Sequence, residues 1–177
     1  MRFVPSIALS ALLVSALVGC GSASNSELES STITPVSIDG SKYVLADEPD
    51  GAIGVIEARK TAANGDQVII VGRIGGSNNP WIEGRAAFML LDASMVIVAD
   101  GTESTEGEIC MDECCATERA GSTTLVKVVD DGDKVLSVDA RELLGVHVDD
   151  MVVVSGKASK DEAGNFVVLA NGVHVRR

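Results

Sequence analysis

The chain has 177 residues, a formal net charge of −12 at pH 7 and a composition that is 46% hydrophobic. This length is typical of one domain with short appendages, and the apolar fraction is sufficient for its core. The acidic balance argues against a protein that holds nucleic acid, because that affinity depends largely on clustered Lys and Arg. Aromatic residues make up only 3% of the chain, so base stacking on side-chain rings is also disfavoured.

Residues 1–19 have the pattern of a secretory signal peptide. Arg2 supplies a short positive segment, and the apolar run Ile7–Val18 is too short to span a bilayer. The run ends in Leu17-Val18-Gly19-Cys20, which resembles a bacterial lipobox. That resemblance implies cleavage before Cys20 and attachment of lipid to its thiol. The alternative is an ordinary signal peptide that is cut at a site such as Ala23, with Cys20 discarded.

The lipobox also implies a location. Two or three acyl chains anchor a protein stably, and Gly21 in place of Asp after Cys20 favours the outer membrane by Gram-negative sorting rules. We therefore expect a lipid-anchored protein that faces the periplasm. Residues 20–46 are predicted to be the lipidated cysteine and a flexible tether, with a short strand possible within Ile33–Leu45.

The remaining residues, 47–177, are predicted to form one domain. A helix is expected to begin at Pro49 and to end at Asn64-Gly65. A second, shorter helix is expected after an N-cap at Asp139, with Gly145 ending it. Five barrel strands are predicted at Gln67–Ile74, Arg85–Asp92, Thr123–Asp130, Met151–Ser159 and Phe166–Val175. A hairpin turn at Asp131-Gly132-Asp133 is predicted to lead from the third of them into a further short strand, Lys134–Val138. Residues 100–121 are polar, acidic and cysteine-bearing, and we interpret them as an insertion.

Two segments of the chain echo one another. Asp66–Arg73 aligns without a gap on Asp150–Lys157, and each copy is an acidic residue, a β-branched run, a glycine and a base. Five strands, a short helix before the fourth, and glycines within the first and fourth strands resemble an OB-fold. Strands one and four pair in that fold to close the barrel, so the two segments should be neighbours. The predicted fold class is therefore mainly β, with a small five-stranded OB-like barrel.

Four blocks of the sequence resemble a group of bacterial envelope proteins familiar from planctomycetes. They are Gly65–Ser77, Pro80–Phe88, Cys110–Cys115 and Val154–Arg177. Members of the group carry aromatic residues just before the cysteine pair, whereas this chain has Met111-Asp112-Glu113. Any ligand role of those aromatics therefore does not extend to this chain, and the group implies no established activity.

Cys110, Cys114 and Cys115 form the reactive cluster of the sequence. An exported protein meets an oxidising compartment, so we expect Cys110 to form a disulfide with Cys114 or Cys115, leaving one thiol over. The alternative is a Zn or Cu(I) site that uses the three thiolates with nearby carboxylates. Adjacent cysteines are awkward ligands for one ion, and no histidine is near in sequence. No other metal or cofactor is predicted.

A ligand site is predicted around the loop between the first two barrel strands, at Arg73, Trp81, Glu83 and Arg85. The competing interpretation, which we prefer, is that Trp81 plugs one end of the barrel. His147 and His174 stand alone beside valines and are interpreted as surface or rim residues. The sequence contains no phosphate-binding loop and no nucleophile or metalloprotease motif.

These observations favour a non-enzymatic, membrane-anchored binding or adaptor lipoprotein. Its partner would be a protein, a peptide or a small envelope ligand. A metal-binding or thiol-redox protein that uses Cys110, Cys114 and Cys115 is the second hypothesis. Nucleic-acid binding is the third, and it rests on the fold alone, which does not fix function.

Overall fold

A computed structural model describes residues 38–95, 113 and 116–177. This part of the chain contains one mainly β unit whose strands form a single sheet. The strands are β1 (Ile53–Gly54), β2 (Gln67–Ile74), β3 (Ala87–Asp92), β4 (Thr123–Val128), β5 (Met151–Lys160) and β6 (Phe166–Val175). The helices are α1 (Val55–Thr61), α2 (Ala116–Ser122), α3 (Ala140–Leu144) and a 3₁₀ turn at Gly40–Lys42.

The sheet closes into a five-stranded barrel with the order β2-β3-β4-β6-β5 and a final pairing of β2 with β5. β4 and β6 run parallel, and the other barrel pairs are antiparallel. The echoed segments pair along their length, from Gln67 opposite Lys157 to Arg73 opposite Met151. The predicted OB-like barrel and its closing pair are therefore confirmed.

The core fills the barrel with aliphatic side chains from alternate positions of its strands. Phe88 and Leu90 on β3, Val126 and Val128 on β4, and Val168 on β6 are all fully buried. Their neighbours in sequence therefore point outward, because successive side chains of a strand face opposite sides of the sheet. This alternation sets which residues form the outer surface of the barrel.

The helix predicted to begin at Pro49 begins instead at Val55, so that start was wrong. Ile53 and Gly54 pair in parallel with Ile70 and Val71 as the short strand β1, which delays the helix. The side chain of Asp92, at the end of β3, accepts a hydrogen bond from the Ile56 backbone N–H at 2.8 Å. A carboxylate distant in sequence thus caps α1.

The strand predicted at Lys134–Val138 is reduced to one isolated bridge between Val129 and Val135, so that prediction was wrong. β4 ends at Val128, two residues short of the predicted Asp130. Asp130 closes the turn, because its carboxylate accepts the backbone N–H groups of Gly132 and Lys134. The following residues run along the end of the barrel, where the Ala86 backbone N–H donates to Leu136 at 3.0 Å.

α3 forms as predicted, between β4 and β5. The Asp139 carboxylate accepts the Arg141 backbone N–H at 2.9 Å, and Gly145 ends the helix with a left-handed φ of 66°. Leu143 and Leu144 are buried on its inner face. A capped helix of this length is stable here because it packs on the barrel, since isolated short helices are marginal.

Part of the segment predicted as tether packs on the barrel. Tyr43 is buried in the core, and the Leu45 backbone N–H donates to the Val173 carbonyl at 2.9 Å. Val44 forms an isolated parallel bridge with Val173. The folded unit therefore begins before residue 47. In the described part of Ile33–Leu45, the short strand suggested by the sequence is reduced to this single bridge.

Lys160, the last residue of β5, links that strand to the end of α1. Its Nζ donates to the Arg59 and Ala62 carbonyls at 2.7 and 3.1 Å. A charged donor on two otherwise unpaired helix carbonyls stabilises the helix end.

We expect Lys160→Met to lower the free energy of unfolding by about 2 kcal/mol, because both carbonyls lose a charged hydrogen-bond donor. Lys60→Met is the matched control, since Lys60 lies exposed on α1. Chemical denaturation of both variants measures the difference. Equal stability of the two variants would contradict the assigned role of Lys160.

Candidate functional site

A groove of about 380 Å³ lies on the outer face of the barrel across β3 and β4. We call it the β3–β4 groove. It is lined by Ile82, Arg85, Ala87, Leu125, Lys127, Lys134 and Val135. In OB-folds this face, formed by the second and third barrel strands, is a frequent location of ligand sites.

The strand pairing positions the floor of the groove. Ala87 on β3 lies opposite Lys127 on β4, and Met89 lies opposite Leu125. Leu125 and Lys127 point outward because Val126 and Val128, which alternate with them, fill the core. Apolar side chains therefore reach the surface in the middle of a sheet face.

The rim of the groove comes from two connections. Ile82, in the loop before β3, is 43% exposed. Val135 approaches from the other side, in the segment after β4, where it is half-buried. The groove thus combines an exposed apolar edge with a half-buried apolar floor.

Three cationic side chains surround this apolar surface: Arg85, Lys127 and Lys134. Arg85 is oriented by a hydrogen bond from its guanidinium to Ser137 Oγ at 2.9 Å. Among the described residues, Lys42, Lys157 and Arg176 each form an ion pair with a carboxylate of the protein. None of the three groove cations forms such a pair there. The groove therefore presents local positive charge on an acidic protein.

Of the residues predicted for the ligand site, Arg85 lines the groove and Trp81 does not. Trp81 is 8% exposed and belongs to the core, where its ring centroid lies 6.3 Å from that of Phe88. The Arg141 guanidinium covers the ring at 5.5 Å from its centroid. This burial favours the interpretation of Trp81 as a packing residue.

Glu83 and Arg73 lie in two other environments. Glu83 forms an ion pair with Arg141 at 3.4 Å, and Arg141 also binds Asp139 at 2.7 Å. The hydrogen bonds that Arg141 donates to the Asp139 carboxylate hold the pKa of Arg141 above its usual value. Arg73 donates to the Asp149 carbonyl at 3.2 Å, in the loop before β5. Arg141 therefore links Glu83 to Trp81, whereas Arg73 contacts a different loop.

The two histidines differ in their surroundings. The His147 side chain is 84% exposed and lies 3.7 Å from the Asp150 carboxylate. His174 is half-buried, and its Nδ1 lies 3.0 Å from the Leu45 carbonyl oxygen. Within the described ranges, no group of three or more His, Cys, Asp or Glu residues is arranged to hold a metal ion.

Cys20, Cys110, Cys114 and Cys115 lie outside the described residues. Lipidation at Cys20, and the disulfide or metal site at the other three, therefore stay predictions. Much of the predicted insertion, residues 100–121, also lies outside the description, and its end forms α2. No helix that the structure describes is long and apolar enough to cross a membrane.

Sequence reasoning missed most of the groove, namely Ile82, Leu125, Lys127, Lys134 and Val135. A weak signal was present in β4, where Leu125 takes an outward position between Thr123 and Lys127. Comparison with known proteins adds no name to the site. The sequence matches no family model and no curated protein.

Proposed function

We propose that this protein is a non-enzymatic binding lipoprotein of the bacterial cell envelope, held at the membrane through Cys20, with its partner bound in the β3–β4 groove. The observation that carries the proposal is the groove itself: an apolar floor bordered by Arg85, Lys127 and Lys134 on the outer face of a closed barrel. Exposed apolar surface with a polar rim is typical of interaction sites.

A binding role is favoured over catalysis by the chemistry of the lining. The groove is lined by aliphatic side chains and cations, which bind and orient a ligand but supply no nucleophile paired with a base. The carboxylates with the clearest roles, Asp92, Asp130 and Asp139, are used in capping and turn hydrogen bonds.

The anchor places the groove near the membrane. A fully extended segment from Gly21 to Ile38 spans about 60 Å, so the barrel of a protein lipidated at Cys20 would begin within that distance of the membrane. The negative charge of the chain disfavours direct binding to anionic lipid, so the partner is expected to be another envelope component.

We expect Cys20→Ala to leave an uncleaved precursor without lipid, because the processing enzymes need the thiol. Intact mass and membrane fractionation of the bacterium that makes the protein measure this outcome. A Cys20→Ala variant that matures at the normal mass and stays on the membrane would show that the lipobox interpretation is wrong.

The binding half of the proposal is tested by photo-crosslinking in intact cells. We expect a photoreactive residue at Val135, in the groove, to give a discrete adduct that Lys127→Glu in the same chain abolishes. Val148 is the matched control, because it is 49% exposed but lies in the loop before β5. Absence of an adduct at Val135, or equal adducts at both positions, would contradict the proposal.

A further inference from the structure

The residues in and beside the groove indicate the chemistry of its ligand. Its outer surface continues beyond β4, because Leu125 lies beside Val167 of β6 in the parallel register. Met89, Leu125 and Val167 therefore form one row of half-buried apolar side chains across three strands. Three neighbouring strands give this row a length of roughly 10 Å.

The closed barrel limits how a partner can bind there. β4 pairs with β3 and β6. The other side of β3 pairs with β2 at Leu90–Asp92 and with the segment Pro80–Ile82 at Ala87–Met89, so both strands beneath the groove have neighbours on both sides. A peptide cannot add to the sheet through backbone hydrogen bonds at this position, because strand addition needs a free edge. Recognition must therefore use side chains, through apolar contact with the floor and charge contact with the rim.

The positive charges of the rim favour a negatively charged ligand. Lys127 and Lys134 point to the groove, and no ion pair within the described ranges occupies them. Asp133, next to Lys134 in sequence, pairs with Lys157, and Asp130 is held by backbone hydrogen bonds from Lys134 and Gly132, 3.0 and 2.9 Å long. Asp130 is near enough to interact with the charge of Lys134 but forms no ion pair with it among the described residues, so an acidic ligand would supply carboxylates that pair directly with the rim.

We infer that the β3–β4 groove binds an extended acidic segment of a partner protein, whose aliphatic side chains contact the row Met89, Leu125 and Val167 while its carboxylates pair with Arg85, Lys127 and Lys134. This inference rests on the proposed function, since it names the ligand class of the same groove. Peptide is favoured over nucleic acid because no aromatic side chain lines the groove to stack on a base.

Fluorescence anisotropy measures binding of a fluorescein-labelled peptide to the purified mature protein. The peptide consists of repeated Glu-Asp-Leu triplets. Two control peptides carry Gln and Asn in place of the acids, or Ser in place of Leu. We expect the parent peptide to bind at least tenfold more tightly than either control. Binding should weaken as salt rises, because exposed charge pairs are screened.

Matched variants locate the site. Lys127→Gln should weaken binding of the acidic peptide about fivefold, the effect of one modest charge pair. Lys60→Gln, an equal change of charge at an exposed position on α1, should leave the affinity unchanged. Circular dichroism of both variants verifies that the barrel remains folded.

Several results would overturn the inference. These are no binding of the acidic peptide, equal binding of the Gln and Asn control, equal weakening by Lys60→Gln and Lys127→Gln, or tighter binding of oligo(dT) or oleate. If Val135 still crosslinks to a partner in cells while the acidic peptide does not bind, the ligand class is wrong and the binding function stands. If neither result appears, both fail.

Discussion

Gly72→Ala and Gly156→Ala are each expected to destabilise the barrel by about 3 kcal/mol, which is in the range of severe single substitutions. A Cβ at Gly72 would collide with the Leu91 carbonyl oxygen and lie 2.8 Å from Leu90 Cγ. A Cβ at Gly156 would collide with the Leu169 carbonyl oxygen and lie 2.8 Å from Ala170 Cα. These neighbours belong to paired strands and cannot move without breaking the closure of the barrel.

Gly121→Ala is the matched control for this prediction. Gly121 lies near the end of α2, and a Cβ there meets no atom within 4 Å. Because Ala favours helix more than Gly does, this variant should be neutral or stabilised by up to about 1 kcal/mol. Urea denaturation of the three variants measures the differences. Stabilities of Gly72→Ala and Gly156→Ala within about 0.5 kcal/mol of Gly121→Ala would contradict the close approach of backbone at these sites.

The second large effect is expected at Asp92, a carboxylate that is 5% exposed. Its Oδ2 accepts the Ile56 backbone N–H at 2.8 Å, and its Oδ1 accepts the Ser94 N–H and hydroxyl at 2.8 and 2.6 Å. Asp92→Ala leaves the helix-capping N–H of Ile56 and two donors of Ser94 without their charged acceptor, so we expect a loss of about 3 kcal/mol in the free energy of unfolding. Asp131→Ala is the control, because that side chain is 94% exposed and should contribute less than about 1 kcal/mol.

The contribution of Asp92 should depend on pH. Burial raises its pKa, but the hydrogen bonds from Ser94 and Ile56 outweigh that effect and hold the pKa below the ordinary value of 3.8. A depressed pKa means that the folded state favours the charged carboxylate. Its stabilising effect is therefore fully present above the unfolded pKa, near 4, and is lost as the pH falls through the folded pKa.

This dependence is measured by comparing the wild-type protein with Asp92→Asn in denaturation experiments between pH 7 and pH 2. The difference in stability should be constant at neutral pH and should shrink below about pH 4. A difference that instead grows with acidity would show that Asp92 is protonated in the folded protein.

The parts of the fold that were predictable from sequence are those set by local pattern. β2 and β6 have the predicted bounds, and α3 begins and ends at the predicted cap residues, Asp139 and Gly145. The closing pair of the barrel was predicted from the resemblance to an OB-fold, in which strands one and four pair, and the echo between Asp66–Arg73 and Asp150–Lys157 agreed with it. Alternation, turn residues and caps act over a few positions, which is why they can be read from a single sequence.

The parts that were not predictable depend on contacts between distant residues. The start of α1 is set by Asp92, which lies 36 positions after Ile56, and Pro49 gave a competing local signal. The groove depends on the pairing that places Ala87 beside Lys127. From the sequence alone, Lys127 was one charge on a strand, whereas the preferred interpretation of Trp81, as a residue that plugs the barrel, agrees with its burial.

Whether the β3–β4 groove is the binding site is tested most directly by hydrogen–deuterium exchange of the purified protein with and without the acidic peptide. We expect slower exchange in fragments that cover Leu125–Lys127 and Lys134–Val135, and unchanged exchange in the loop that contains His147 and Val148. Protection of that loop with no change in the groove would show that the peptide binds elsewhere.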